Sequence, residues 1–169
     1  LPNTQWIIVS VPGRYAAEVA RKALDFGKHI FLYSDNVPVE EEISLKTLAA
    51  DKGLLVMGPD CGTAVINGIG LGFANQSKSG PIGIVAASGT GLQALTVTID
   101  NLGSGITYAI GTGGRDLNSQ VGGITSRQAL DLLSRDTDTK VIILTSKPIS
   151  SDAALELMKL MYALEKPVV

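Results

Sequence analysis

The sequence predicts an α/β fold made of two consecutive parallel-sheet units. Short apolar runs alternate with segments of helical periodicity along nearly all 169 residues, which is the pattern of parallel strands joined by crossover helices. A Gly-rich stretch near the middle interrupts the alternation, which then resumes. We therefore predict two domains, residues 1–77 and 78–169, the second a doubly wound, flavodoxin-like sheet.

The first unit has the predicted order β-α-β-α-β. Apolar runs indicate strands at 6–10, 29–33 and 54–58, and helical periodicity indicates helices at 13–28 and 38–53. The second helix has clear end signals, because Pro38 suits a first turn and Gly53 suits a C-terminal stop. Residues 64–80 are Gly-rich and predict only a short strand with a loop. The polar stretch 75–81 is the predicted linker.

The second unit repeats the alternation of strands and helices that the first unit shows. Predicted strands lie at 82–87, 106–111, 140–146 and 168–169, and predicted helices at 91–101, 126–136 and 151–165. Hydrophobic residues make up 45% of the chain and charged residues 18%, so each unit has enough apolar side chains to fill a core.

Composition excludes several classes of function. The net charge of −2 and the aromatic content of 5% give no support to nucleic-acid binding. No apolar run approaches the roughly 20 residues of a membrane span, and the first residues do not resemble a signal peptide. A single cysteine, Cys61, excludes an internal disulfide, so we expect a cytoplasmic protein. Both ends of the chain look cut from a larger protein.

Ligand-binding residues are expected at the carboxyl ends of the strands, where parallel sheets hold their ligands. Gly-rich or polar turns follow four predicted strands, at 33–36, 58–63, 88–93 and 111–116. The turn Ser88–Gly91 precedes a predicted helix, whose first N–H groups lack partners and carry a partial positive charge. Such a turn can bind a phosphate or carboxylate without a basic side chain. The simpler alternative is an N-cap serine in a tight glycine turn.

Other reactive residues have equally simple structural explanations. Cys61 could be a nucleophile of lowered pKa, or a small buried residue in a turn, and no partner base is recognisable. His29 precedes an apolar strand and is expected to be structural, which excludes a Ser-His-Asp triad. Asp35 and Asp116 could orient a hydroxyl or a metal ion. The sequence contains no Cys/His metal constellation.

Several motifs resemble those of a known superfamily. They are SVPGRYAAEVARKAL, LYSDNVPVEEEISLK, VMGPDCGTA, GIVAASGTGLQ and GTGGRD, in this order along nearly the whole chain. The sequence is similar to the NDP-forming acyl-CoA synthetases, which include the α subunit of succinyl-CoA synthetase. Within that superfamily it most resembles the FdrA proteins. The resemblance implies that residues 1–77 are the C-terminal half of a Rossmann-like CoA-binding domain and that residues 78–169 form a flavodoxin-like ligase domain.

The resemblance also implies site residues, each at a matching motif position. Residues implied to contact CoA are Tyr33, Ser34, Asp35, Gly58, Pro59, Cys61 and Gly62. Residues implied to receive a phosphate are Ser88, Gly89, Thr90 and Gly91, and those implied to contact substrate are Gln93, Gly113, Gly114 and Asp116. The implied cofactors are CoA and, in the complete enzyme, ATP or another nucleotide with Mg²⁺. No catalytic residue is assigned, because the superfamily's phosphohistidine motif is not present in these 169 residues.

Departures from the superfamily pattern leave three functions open. Gly62 replaces a proline, Ala87 replaces an arginine, Gln93 replaces a tyrosine, and Arg115 is inserted in the GGD turn. We expect an acid–CoA ligase subunit, with two alternatives. One is a carbamoyl or acyl transferase subunit, since FdrA proteins are associated with purine catabolism and oxamate. The other is a non-catalytic ligand-binding module. In each case we expect a small-molecule ligand, an oligomer or complex, and no activity of the fragment alone.

Overall fold

Eight strands in two sheets are found in the computed structural model, which describes residues 3–169. The first sheet is parallel, with strand order β1-β2-β3. Its strands are β1 (Trp6–Val9), β2 (His29–Leu32) and β3 (Val56–Met57), connected by α1 (Gly13–Asp25) and α2 (Val39–Asp51). The predicted order β-α-β-α-β is therefore found in this half.

The second sheet has the order β5-β4-β7-β6-β8. Its strands are β4 (Thr63–Ile66), β5 (Ile69–Gly72), β6 (Ser79–Ala86), β7 (Ile106–Gly111) and β8 (Val141–Thr145). Its helices are α3 (Gly89–Asn101), α4 (Ile124–Arg135) and α5 (Ser151–Ala163). Val168 adds a parallel bridge to Ile142 of β8. The parallel part therefore has the strand order of a flavodoxin-like sheet, and the predicted α/β fold is confirmed.

The hairpin β4–β5 lies in a different place from the one that the sequence predicts. Its strands pair antiparallel, and Val65 of β4 pairs with Ala109 of β7, so the hairpin extends the second sheet. The change of sheet therefore falls between Met57 and Thr63, not at the domain boundary predicted near residue 77. Thr63–Ile66 is almost wholly buried, and this apolar strand gains a partner only by joining the second sheet.

The two halves share a hydrophobic core. One face of the first sheet is covered by α1 and α2, whose buried positions include Ala16, Ala20 and Leu45. Phe31 and Met57, on the opposite face, pack in the same cluster as Leu130 and other residues of α4 and the second sheet; the cluster is completed by Leu55, Cys61, Ala64, Val85, Ile110, Leu117, Ala129, Leu133, Ile142 and Leu157. Since neither sheet buries its inner face alone, the halves depend on each other for stability.

Candidate functional site

Three loops leave the second sheet from the same level and form the framework of the site. Ala86, the last residue of β6, pairs with Gly111 of β7 on one side and with Thr145 of β8 on the other. The chain passes from β6 through α3 to β7, then through α4 back to β8, so the direction of the connections reverses at β6. In open parallel sheets ligands bind in the crevice at such a reversal. The candidate site therefore lies at the carboxyl end of β6.

The start of α3 presents free backbone donors to this crevice. Ser88 is the N-cap, and its Oγ accepts a hydrogen bond from the Gly91 N–H at 3.3 Å. The first helical bond is donated by Leu92 N–H to the Ser88 carbonyl at 2.9 Å. The N–H groups of Gly89 and Thr90 precede it and have no helical acceptor. A Cβ at Gly89 would meet only Thr63 Oγ1, at 3.9 Å, so this backbone faces open space.

A cleft of about 280 Å³ lies against the start of α3. We call it the phosphate cleft, and its walls are Asp60, Gly62, Thr63, Phe73, Ala87, Ser88, Gly89, Thr90, Gln93, Gly114 and Lys147. The Gln93 amide donates from Nε2 to Thr63 Oγ1 at 2.8 Å and to the Phe73 carbonyl at 3.3 Å. Gln93 thus connects α3 to the hairpin and fixes one wall of the cleft.

A second cleft of about 390 Å³ adjoins the first. We call it the cofactor cleft, and its walls are Asp35, Asn36, Pro59, Asp60, Gly114, Arg115 and Lys147. Asp60, Gly114 and Lys147 belong to both clefts. The structure therefore brings turns from all four predicted strand ends to one continuous surface.

The turns 58–63 and 111–116 fit together only because glycines lie at their contact. Gly113 has a φ of +87°, and a Cβ there would lie 2.8 Å from the backbone of Gly58 and Pro59. A Cβ at Gly58 would lie 2.3 Å from the Leu32 carbonyl oxygen. These glycines are therefore required by close backbone contact, and neither of them is a wall residue of the phosphate cleft or the cofactor cleft.

Three residues of the implied CoA set use their side chains within the protein. Ser34 Oγ donates to the Val11 carbonyl at 2.6 Å and accepts from the Val11 N–H at 3.0 Å, tying the loops after β1 and β2 together. The Tyr33 ring contacts Phe73 of the hairpin, with centroids 5.6 Å apart. Burial raises the pKa of the Cys61 thiol to about 12, and its Sγ contacts the Thr63 carbonyl. The hypothesis that Cys61 is a nucleophile of lowered pKa is therefore wrong.

Asp116 is also fully buried, in an ion network between the two halves. Its Oδ1 accepts from Lys46 Nζ at 2.7 Å, and its Oδ2 accepts from the N–H and Oγ of Ser126 at 2.9 Å and 2.7 Å. Lys46 also donates to Glu42 Oε1 at 2.8 Å, and Glu42 Oε2 accepts from Arg115 Nε at 3.0 Å. Asp116 therefore caps the start of α4 and anchors the turn that carries Gly114; its assignment as a substrate contact remains a prediction.

Lys147 is a site residue that sequence reasoning missed. It follows β8 by two residues, as Ser88 follows β6, so the sheet register carries both to the same crevice. The expected anion site contained only backbone and hydroxyl donors, and the structure adds an ammonium group to its wall. The available signal was a basic residue two positions after the apolar run 141–145. Asp60 was missed although its turn was recognised.

His29 lies at the opposite end of the first sheet and has a structural environment. Its Nδ1 accepts a hydrogen bond from the Leu55 N–H at 3.0 Å, and its ring stacks on Trp6 with centroids 4.7 Å apart. Partial burial lowers the pKa of His29. Across residues 3–169, no group of three or more His, Cys, Asp or Glu side chains is placed to hold a metal ion. No helix in the same range is long and apolar enough to cross a membrane.

Comparisons with known proteins agree with this geometry. The family described as CoA binding domain matches residues 77–163, just over half of the chain. This match falls on the second half, whereas the implied CoA contacts Tyr33–Asp35 and Gly58–Gly62 precede it. The chain is 48% identical to the Escherichia coli K12 protein named Uncharacterized protein YahF, over all of this chain and 33% of that protein.

Characterised relatives point to CoA ligases. The chain is 28% identical to succinate–CoA ligase [ADP-forming] subunit alpha 2 of Archaeoglobus fulgidus over 144 residues, covering 83% of this chain and 49% of that subunit. Its fold matches ATP citrate lyase from Methanothrix soehngenii, a structure in complex with citrate and coenzyme A, with a TM-score of 0.81 at 18% identity. That match covers 99% of this chain and 29% of the lyase. The chain thus spans 29% to 49% of the length of these three relatives.

The family match, the relatives among CoA ligase α subunits and the shared fold all lead to the same assignment. The chain belongs to the CoA-binding domain family and is related to the α subunits of ADP-forming succinate–CoA ligases.

Proposed function

We propose that this chain is the CoA- and acyl-phosphate-binding part of an NDP-forming acid–CoA ligase of the FdrA type. The observation that carries the proposal is the shared wall of the two clefts, Asp60, Gly114 and Lys147. Groups bound in the two clefts would meet at that wall. CoA, when bound, supplies a thiol that takes the acyl group from an acyl phosphate, and phosphate is released with the thiol proton.

The residues of this chain would bind and orient the two reactants. In the cofactor cleft, Asp35 and Asn36 are exposed polar residues beside the buried Pro59, a wall that fits part of a CoA molecule. In the phosphate cleft, the free N–H groups of Gly89 and Thr90 would donate to phosphate oxygens. The positive end of the α3 dipole would stabilise the negative charge there.

The other steps of the reaction would involve the rest of the whole protein. A nucleoside triphosphate with Mg²⁺ would supply the phosphoryl group, and a histidine outside these 169 residues would carry it. His29, the sole histidine of the chain, is held by Leu55 and Trp6 away from both clefts. We therefore propose that the fragment alone is inactive and works within an oligomer or a complex in the cytoplasm.

Isothermal titration of the full-length protein with CoA tests this proposal. We expect wild-type protein to bind CoA, and Asp35→Ala to weaken binding about threefold to tenfold, because an exposed carboxylate that accepts a ligand hydrogen bond contributes on the order of 1 kcal/mol. Asp51→Ala removes the same charge from the end of α2, outside both clefts, and is the matched control. Absence of CoA binding by the wild type would overturn the ligase proposal.

A second candidate is a transferase that uses carbamoyl phosphate or an acyl phosphate without CoA. It is favoured by the phosphate cleft, which has its own hydrogen-bond donors and whose walls contain no residue of β1, β2 or β3. The test is phosphate-dependent carbamoyl transfer by the full-length protein to a small amide such as oxamate, with CoA omitted. Transfer without CoA would support this candidate and a role in purine catabolism. Ligand binding without either reaction would instead support a non-catalytic module.

A further inference from the structure

Lys147 lies where the two clefts meet. Its side chain belongs to both walls, and a Cβ at Gly114 would lie 2.8 Å from Lys147 Nζ and 3.5 Å from Cε. The amine therefore crosses directly over Gly114, in space that any larger residue there would occupy. Gly114 does not have a positive φ, so its backbone conformation alone does not require glycine.

In the part of the chain that the structure describes, the ammonium group of Lys147 forms no ion pair, although Asp60 lines the same two clefts. Within residues 3–169, no acidic oxygen lies within 4.0 Å of Lys147 Nζ, and no hydrogen bond of that amine is formed. By contrast, Arg115, the other cation of the cofactor cleft, is paired with Glu42 and with the Val37 carbonyl. An unpaired cation that lines the same cleft as the free N–H groups of Gly89 and Thr90 is complementary to an anion.

We propose that Lys147 binds the anionic oxygens of the ligand at the junction of the clefts, and that Gly114 is a glycine because the amine needs its space. This inference rests on the proposed function and names the charged residue on which that site depends. The bound group is a phosphate oxyanion. It belongs either to an acyl or carbamoyl phosphate, whose phosphate would also reach the start of α3, or to CoA itself.

Two probes, titrated into the full-length protein, distinguish these sources: inorganic phosphate and CoA. We expect Lys147→Met to weaken phosphate binding about tenfold, the usual effect of losing a charge-assisted hydrogen bond. Lys147→Arg keeps the charge and should retain more affinity than Lys147→Met. Lys159→Met, on the exposed face of α5 and paired with Glu156, removes the same charge far from the clefts and should leave binding unchanged.

Gly114→Ala tests the second half of the proposal through a double-mutant cycle. The added Cβ meets the far end of a flexible side chain, so it should displace the Lys147 amine without disturbing the fold. We expect Gly114→Ala to weaken phosphate binding in the wild-type background and to have no further effect when combined with Lys147→Met. An additive effect in the double variant would show that Gly114 acts independently of Lys147 and would overturn this part.

The outcomes separate the inference from the proposed function. Weaker phosphate binding by Lys147→Met, with CoA binding retained, assigns the residue to the phosphate of the reacting group. Loss of affinity for CoA assigns it to a CoA phosphate, and both results support oxyanion binding. Wild-type affinity of Lys147→Met for both probes would overturn the inference while leaving the proposed function intact. If the wild type binds neither phosphate nor CoA, both the inference and the proposed function are overturned.

Discussion

Lys46 Nζ lies 2.7 Å from Asp116 Oδ1, and neither side chain has any solvent exposure. The pair connects α2 in the first half to the turn between β7 and α4 in the second. Lys46 uses its three protons on Asp116, Glu42 and the Thr112 carbonyl. The buried charges are thus compensated in full, and the turn that carries Gly114 is held against the first sheet.

Lys46→Met should destabilise the protein strongly. The change leaves the buried carboxylates of Glu42 and Asp116 with Arg115 as the remaining cation of the network. Breaking a buried ion pair in this way costs about 3–5 kcal/mol. Lys22→Met is a matched control, because Lys22 also follows a glutamate, Glu18, by four residues, but that pair is 70% exposed at both ends. Urea unfolding measures both variants. Equal midpoints for the two would contradict the compensating role of Lys46.

Ser88→Ala should affect both stability and ligand binding. Loss of the N-cap costs about 1 kcal/mol, and it removes a hydroxyl from the phosphate cleft. Ser150→Ala removes an N-cap with the same hydrogen-bond length, 3.3 Å, from α5, which also has 13 residues. Thermal unfolding should therefore report similar losses for both. Phosphate titration should respond to Ser88→Ala alone, and an equal response to Ser150→Ala would refute the site.

Stability should fall as pH decreases below about 6.5. The pKa of His29 is lower in the folded protein than its ordinary value of 6.5, so the unfolded chain binds the extra proton more readily. The contribution is complete above pH 6.5 and is lost as pH falls toward the folded pKa. Fluorescence of Trp6, the sole tryptophan, follows unfolding beside the imidazole. His29→Asn keeps a hydrogen-bond acceptor without titrating, so its stability should change less between about pH 7.5 and 5.5.

The Cys61 thiol should be inert in the folded protein. With a pKa of about 12, only about one molecule in 10⁵ carries the reactive thiolate at pH 7. Iodoacetamide should therefore label the native protein very slowly and label it readily after denaturation in urea. Mass spectrometry measures the labelled fraction. Native labelling at the rate of an exposed cysteine would show that the turn 58–63 opens in solution.

The strand ends and the helix start at Ser88 could be predicted from sequence because their signals are local. Apolar runs bounded by glycines place the strands, and Ser-Gly-Thr-Gly, which begins two residues after β6, marks a helix cap. The hairpin turn also has a local signal, because Asn67 and Gly68 separate two apolar runs, and both adopt a positive φ. The three glycines of residues 64–73 interrupt the apolar pattern and concealed it.

The rest of the site depends on packing between the halves, which no local pattern contains. Glu42 and Lys46 look like an ordinary exposed pair on α2, yet both are buried because the turn after β7 covers them. Asp116 follows β7 like a ligand-binding residue, but it turns toward the N-terminus of α4. Lys147 reaches the phosphate cleft only because β8 lies beside β6 in the sheet.

The hairpin β4–β5 sets a limit on exchanging parts between related enzymes. A chimera joined at residue 77 would take β4 from one parent and β7 from the other, although Val65 and Ala109 are paired neighbours. It would also separate Phe73 from Gln93, which donates to its carbonyl. A junction in the turn before Thr63 keeps both contacts within one parent, so a transplanted second half should begin at the hairpin and carry its own wall of the phosphate cleft with it.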